Sequence, residues 1–350
     1  MAPRVSLALQ GGGSHGAFVW GALDRLLQEA ESGRFEIAAL SGASAGAINA
    51  TVAACGLVEG GPALARQRLA EVWRLISERG AMSGNALFFG DPGPFGFNID
   101  WSPGAIALEA LGLVVSPYTN PFYRDPLGPL LQQVLREERL ARLNAAASPR
   151  VFLTAVNVAT NMRRNFTQPE VSVDTIRASA CLPTEFQAVQ IGADYFWDGG
   201  YLGNPALEPL LGAADDLLLV LVNPLNRADV PPRGARAILD RLNQITFNAS
   251  VILEMNAIAA INALLQELRD KGIDYEGKYR PINLHVIRDD AFEATLGFVS
   301  KSSTSWALLQ KLHDAGTRAA DRFLQNAAST IGQRSSCDVK RELVQPTLKG

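Results

Sequence analysis

The sequence predicts an α/β protein, a mostly parallel sheet with helices on both faces, and three observations predict it. Short apolar runs of strand length, such as Val5–Leu9, Ile37–Leu40 and Val151–Val158, alternate with stretches whose apolar residues recur at helical spacing. Leu217–Val222 is six consecutive apolar residues, the pattern of a central strand buried on both sides. The first two runs each end in a glycine-rich turn that leads directly into a helical stretch.

The elements follow in order. Val5–Leu9 is a strand entering Gly11-Gly12-Gly13, and Phe18, Ala22, Leu23, Leu26 and Leu27 mark a helix over 17–27. Ile37–Leu40 is the second strand, Ala45–Ala54 the second helix, and Leu64, Leu69, Val72 and Leu75 give a third over 63–76. Residues 80–125 differ in character. They are dense in Gly, Pro and aromatics (Phe88, Phe89, Phe95, Phe97, Trp101) and carry an apolar stretch over 105–115, so they read as an inserted cover over the site, not a linker. A helix over 126–138 closes this segment. Val151–Val158 and a hairpin through Asn161 to Phe166 follow, then a short helix over 175–181 and two strands flanking Gly192-Ala193-Asp194. Residues 235–268 make one long helix, or two broken near Asn248. Ile282–Ile287 is the last strand and 303–327 the last helix. The domain is expected to span 1–331, with 332–350 a polar, loose tail.

The chain has 350 residues with 32 basic against 35 acidic side chains, a formal charge of −3, so no basic excess points to nucleic acid. Cys55, Cys181 and Cys337 form neither a disulfide framework nor a metal-ligand spacing, which fits a reducing compartment. No signal peptide is read at the N-terminus, and no apolar run is expected to approach the ~20 residues that span a bilayer. A cytoplasmic protein, in peripheral contact with a membrane through 80–125, is the expectation.

Chemistry is concentrated in two turns. Gly42-Ala43-Ser44-Ala45-Gly46 is a Gly-x-Ser-x-Gly element in the setting it needs, after a strand and before a helix. A serine there sits on a sharp turn with its hydroxyl at a helix N-terminus, and its neighbours must be small because strand and helix nearly touch. Gly11-Gly12-Gly13-Ser14-His15-Gly16 also fits the Gly-x-Gly-x-x-Gly of a dinucleotide site, but such a site needs a carboxylate ending the second strand, where this chain has Leu40-Ser41-Gly42. An oxyanion hole suits the loop better. Consecutive glycines let several backbone N–H groups converge on the oxygen that gains charge when a serine attacks an acyl carbon.

The base is less determined. A Ser44, Asp198, His285 triad has the chain order of an α/β-hydrolase, but His285 falls in mid-strand instead of on a loop after one. His313 lies in a helical stretch, and His15 in the glycine loop itself. Asp198 ends an aromatic strand and precedes two glycines. It can be half-buried there, and burial raises a carboxylate's pKa toward a useful range for a base. Asp194, Asp215 and Asp216 read as turn or solvated-loop residues.

Taken together, Gly11–Gly16, Gly42–Gly46 and Asp198-Gly199-Gly200, with Arg177–Pro183 before the aspartate and Asn204-Pro205 after it, resemble the patatin-like phospholipase family over about residues 4–225. The resemblance implies a three-layer α/β/α sandwich around a mainly parallel sheet, and a lipid acyl hydrolase working through a Ser–Asp dyad without histidine, calcium or other cofactor. Carried onto this chain, Ser44 is the nucleophile, Asp198 the base and the backbone of Gly11, Gly12 and Gly13 the oxyanion hole. Gly16, Gly42, Gly46, Gly199 and Gly200 are in support. The family often has Arg or Lys where this chain has His15, which is therefore expected to support the loop without binding phosphate strongly. The expected substrate is a phospholipid or lysophospholipid ester. Acyl transfer, thioester cleavage or polyester depolymerisation by the same pair are the alternatives, and a silent lipid-binding protein is more remote, since it has no chemical need of Ser44 or Asp198.

Overall fold

The computed structural model describes residues 2–82, 116–121, 123–226, 231–277, 279–297 and 299–344. Its apolar runs pair into an eight-stranded sheet. β1 (Arg4–Leu9) lies between β2 (Glu36–Gly42) and β7 (Asp216–Val220), parallel to both. β3 (Arg150–Asn157) extends the parallel sheet beyond β2, and β8 (Asn283–Ile287) extends it beyond β7. At the β3 end the direction reverses. β4 (Arg163–Phe166) and β6 (Asp194–Asp198) pair antiparallel to β3, and β5 (Val189–Ile191) pairs with β6.

Alternation along the strands fills both faces. Leu7, Leu9, Leu218 and Val220 enter one apolar core, while Ala8, Leu217, Leu219 and Leu221 enter the other. The first core is covered by α1 (Gly16–Glu31), α2 (Ala45–Gly60), α3 (Pro62–Met82) and α9 (Trp306–Ala327). The second is covered by α7 (Ala235–Asp270), which buries Val251, Met255 and Ile258. The result is the three-layer α/β/α arrangement with a mostly parallel sheet.

Several expectations change in detail. The helix read over 126–138 is two, α4 (Leu127–Val134) and α5 (Glu137–Ala145). Leu135 and Arg136 leave helical geometry between them, and Glu137 and Glu138 open the second with favourable charge at its N-terminus. Between β4 and β5 lies α6 (Val173–Ser179), and after β8 comes the short α8 (Asp290–Glu293).

α7 is unbroken at Asn248, whose side chain bonds to Gln10 and the Pro224 carbonyl and leaves its own helix intact. By length and composition 237–270 is also apolar enough to cross a membrane, which the interruptions by polar residues concealed in the sequence. Its inward face is committed to the sheet, while Ile238, Leu242, Ile245, Leu253 and Leu264 are exposed.

The tail is docked at least through Val339. The Leu284 N–H donates to Ser335 Oγ, its carbonyl accepts from the N–H groups of Ser336 and Cys337, and Cys337 and Val339 are buried. Most of the cover expected over 80–125 lies outside the described residues. Its last part is tied down: Tyr118 and Tyr123 hydroxyls accept from the N–H groups of Ala188 and Gln187.

Candidate active site

The carboxyl ends of β1 and β2 are neighbours in the sheet, so the two glycine turns of the sequence meet there. Leaving β2, the chain turns through Ser44, which has φ 55 and ψ −130, a left-handed conformation rare for a residue with a side chain. Such a conformation costs on the order of 1–3 kcal/mol and persists only where its surroundings fix it. A Cβ on Gly42 would lie 2.3 Å from the Gly46 backbone, and one on Gly46 would lie 2.1 Å from the Leu9 carbonyl oxygen. The small residues of the motif are therefore required. The Ser44 N–H donates to the Ser179 carbonyl at 2.9 Å, while its hydroxyl does not cap α2 and is left for other use.

The glycine loop lies against this turn. A Cβ on Gly11 would fall 2.6 Å from Ser44 Cβ. The expectation that Gly11 lends its N–H to an oxyanion is corrected, because that N–H donates to Asn204 Oδ1 at 2.7 Å and the Gly11 carbonyl accepts from Asn204 Nδ2 at 3.1 Å. Among the described residues no hydrogen bond engages the N–H of Gly12 or Gly13. Gly13 has φ +58, and a Cβ there would lie 2.3 Å from the Lys301 carbonyl oxygen, so this position needs glycine twice over. Gly16 begins α1 where a Cβ would meet Ala45 at 2.6 Å.

Asp198 comes to the same place from β6. It is fully buried, and its N–H donates to the Cys181 carbonyl at 2.8 Å. Its Oδ1 accepts from the Gly200 N–H at 2.7 Å, while Oδ2 has no formed hydrogen bond. Burial pushes the carboxyl up to about 7. The Gly200 N–H and the Ser44 hydroxyl pull it the other way, and Glu185 pushes it further up. The Ser44 hydroxyl is thus close enough to stabilise the carboxylate without making a closed hydrogen bond to it, an open geometry common in unliganded catalytic pairs. Gly199 and Gly200 allow the approach: a Cβ on the first would meet the Thr154 carbonyl oxygen at 1.9 Å, and on the second the Phe247 ring at 2.4 Å.

The other candidate bases lie elsewhere. His285 sits on β8, with β7 and β1 between it and β2, and bonds Asp216 at 2.9 Å and Ser336 at 2.9 Å. Asp216 is buried in that pair, contrary to its reading as a loop residue, while Asp194 and Asp215 are exposed. His313 packs on Trp20 at 4.1 Å between ring centres. Cys181, next to the site, is held as a thiol: burial and the Asp198 charge push it up to about 12. Among the described residues no cluster of His, Cys, Asp and Glu is arranged to hold a metal ion.

Sequence reasoning assigned no role to three residues here. Gln10 is wholly buried. Its Oε1 accepts from the N–H groups of Val222 and Asn223 at 2.7 and 2.8 Å, and its Nε2 donates to the Asn204 carbonyl and to Asn248, tying β1, β7 and α7 together under the loop. Asn204 cradles Gly11. Asn49 donates to the Gly16 carbonyl and accepts from Trp73 Nε1, each at 2.9 Å. A polar side chain interrupting an otherwise apolar stretch was the available signal for Gln10 and Asn49. Glu185 opens to solvent on one side and is otherwise enclosed by protein, which raises its own carboxyl.

The sequence model of the patatin-like phospholipase family matches residues 7–211, more than half of the chain. No curated protein matches it by sequence. Among solved structures, VipD from Legionella pneumophila is similar at 16% identity and a TM-score of 0.33, over 89% of this chain and 67% of that one. A chain of the ExoU–SpcU complex from the type III secretion system of Pseudomonas aeruginosa is similar at 18% identity and a TM-score of 0.30, over 93% of this chain and 53% of that one. Both likenesses are distant. With the glycine loop, the serine turn and the buried aspartate brought together inside the matched region, the chain belongs to the patatin-like phospholipase family.

Proposed function

We propose that this protein is a serine acyl hydrolase that cleaves carboxylic esters of lipids through Ser44 and Asp198. One observation carries the reading: a strained, uncapped serine faces a buried carboxylate whose unpartnered oxygen titrates near neutrality. At pH 7 such a group is ionised often enough to act and basic enough to accept a proton, which an exposed aspartate is not.

In the proposed reaction Ser44 Oγ attacks the ester carbonyl carbon and its proton passes to Asp198 Oδ2, the oxygen that nothing else occupies. Oδ1, held by Gly200, keeps the carboxylate from turning away. The carbonyl oxygen becomes an oxyanion beside the N–H groups of Gly12 and Gly13. Collapse expels the alcohol, which takes the proton from Asp198, and leaves an acyl-serine. Water then attacks this ester with Asp198 as base, releasing the fatty acid and restoring the serine. A fixed backbone donor in such a site is worth about 10²–10³ in rate.

The test is labelling by a fluorophosphonate probe together with turnover of a p-nitrophenyl ester and of mixed phospholipids. Labelling should fall on Ser44 and vanish in Ser44→Ala. Both Ser44→Ala and Asp198→Asn should lose turnover, and His285→Ala should keep it. Loss of turnover in His285→Ala equal to that in Ser44→Ala would overturn the dyad.

A further inference from the structure

Behind the glycine loop lies a buried ionisable cluster that the chemistry above does not use. His15, 3% exposed, ends the single 3-10 turn Gly13–His15. Its Nδ1 lies 2.9 Å from Oε2 of Glu293, itself 4% exposed, and its Nε2 lies 2.7 Å from Ser300 Oγ. Ser300 donates its one hydroxyl proton to the Gly297 carbonyl at 2.6 Å, so toward His15 it can only accept. Nε2 therefore carries a hydrogen, and Nδ1 faces the Glu293 carboxyl. Burial pushes that carboxyl up and His15 pulls it down. The Nδ1–Glu293 contact is close but poorly aligned for a hydrogen bond, and among the described residues the Glu293 carboxyl has no other hydrogen-bond partner.

The same segment presses on the loop at a second point. The 3-10 turn Val299–Ser302 places the Lys301 carbonyl against Gly13, and Lys301 Nζ donates to Asn223 at 2.9 Å, beside the Gln10 network. Glu293, Ser300 and Lys301 all lie beyond the region that the family model matches.

We infer that His15 is a positioning residue for the oxyanion donors, pinned at both ring nitrogens by Glu293 and Ser300 of the C-terminal third. This rests on the reading of Ser44 and Asp198 as an acyl-transfer pair. The imidazole is held by a hydrogen bond at Nε2 and restrained by the close Glu293 contact at Nδ1, and the His15 N–H donates back to the Gly12 carbonyl at 3.2 Å. Ring position is thus transmitted through one turn of backbone to the directions in which the Gly12 and Gly13 N–H groups point. An ammonium on a flexible stem at this position would supply charge without fixing a plane. Glu293 stabilises a buried ring that would otherwise have no counterpart for Nδ1.

The experiment uses the full chain and compares His15→Ala, Glu293→Gln and the double variant His15→Ala/Glu293→Ala. It measures kcat and KM on a soluble p-nitrophenyl ester, with Tm alongside. His15→Ala should lower kcat about 100-fold, as misdirected donors do, with KM unchanged within about twofold. Glu293→Gln, whose amide can still donate to Nδ1, should keep kcat within about tenfold of the wild type. The double variant contains no unpaired buried carboxylate, so its Tm should recover while its kcat stays low. Recovery of wild-type kcat in the double variant would mean that His15 only neutralises Glu293, and the inference would fall. A rise in KM with kcat preserved in His15→Ala would also overturn it. If His15→Ala does not fold, the other two variants decide. Absence of fluorophosphonate labelling at Ser44 in the wild type would defeat the hydrolase reading itself, whereas a labelled wild type with a fully active double variant defeats the positioning role alone.

Discussion

Ser44 hangs from the carbonyl of Ser179 by its backbone N–H, and two residues further along the same turn the carbonyl of Cys181 holds the N–H of Asp198. The hydroxyl and the carboxylate, far apart in the chain, are thus referred to one short stretch at the end of α6. Ser179 Oγ in turn donates to the Thr154 carbonyl on β3 at 2.6 Å, the same carbonyl that Gly199 approaches. A shift of this turn carries both groups with it, so their separation depends on the β3–α6–β6 unit more than on the glycine loop. The loop answers to a different set of partners, Asn204, Gln10 and His15. The proposed nucleophile–base pair and the proposed oxyanion donors are held by separate networks, and variants in one should spare the other.

The rate should follow the ionisation of Asp198. Its carboxyl is pushed up to about 7, chiefly by burial, and in the proposed reaction only the ionised form can take the Ser44 proton. kcat/KM should therefore rise with pH through about 7 and level off above it, instead of doing so near an ordinary aspartate value. Glu185 adds to the upward push, so Glu185→Gln should move the midpoint to lower pH. A pH–rate profile on a neutral soluble ester measures both, and a wild-type midpoint near 4 would refute the burial argument.

The same shift makes Asp198 a burden on stability. Its folded pKa of about 7 exceeds the ordinary 3.8, so between those values the folded chain holds a proton that the unfolded chain has released. The Asp198 contribution to stability falls as pH rises from about 4 to about 7 and is flat above, because the sign follows the excess of protons in the folded state. At about 1.4 kcal/mol per unit the full effect is on the order of 4 kcal/mol. Asp198→Asn retains an acceptor for the Gly200 N–H and removes the charge. It should unfold at a higher denaturant midpoint than wild type at pH 8, with the difference closing by pH 4. Equal midpoints at pH 8 would show that the carboxylate is better solvated than its burial indicates.

The strand–helix alternation, the serine turn and Asp198 could be read from the chain because each rests on local chemistry: periodicity, small residues at a tight crossing, an aspartate before two glycines. What was not legible depends on contacts between distant segments. Gly11 looks like its two glycine neighbours until Asn204, on a loop after β6, occupies its N–H. The polar tail looks loose until Ser335 and Ser336 are seen against the edge of β8. Asp216 reads as a loop residue, and its burial follows only from His285 arriving beside it on the next strand. α7 shows the same limit, since nothing local reports that one face of an apolar helix meets a sheet while the other stays exposed.

Two glycines distinguish packing from backbone freedom. A Cβ at Gly46 would sit 2.1 Å from the Leu9 carbonyl oxygen, which belongs to the sheet and cannot yield cheaply. Gly46→Ala should destabilise the fold by more than about 3 kcal/mol or prevent soluble expression, like other severe core overpacking. Gly33 has φ +76 with nothing within 4 Å of a built Cβ, so Gly33→Ala meets only the left-handed penalty, about 1–2 kcal/mol. Denaturant melts of the two variants check the ranking, and a Gly46→Ala variant as stable as Gly33→Ala would mean that strand and helix are further apart at the serine turn than described.

Asn204 offers the sharpest test of the loop's own support. It satisfies both the N–H and the carbonyl of Gly11, so Asn204→Ala leaves two buried backbone groups unpaired, each worth about 1–3 kcal/mol. With its N–H released, Gly11 can turn toward the site or away from it, and the neighbouring donors lose their fixed direction. Turnover should fall by about 10–100-fold with KM little changed, while the pH midpoint set by Asp198 stays where it is, because Asp198 is held through Cys181 and Gly200 and not through Asn204. A midpoint that moved together with kcat in Asn204→Ala would show that the two networks are coupled after all.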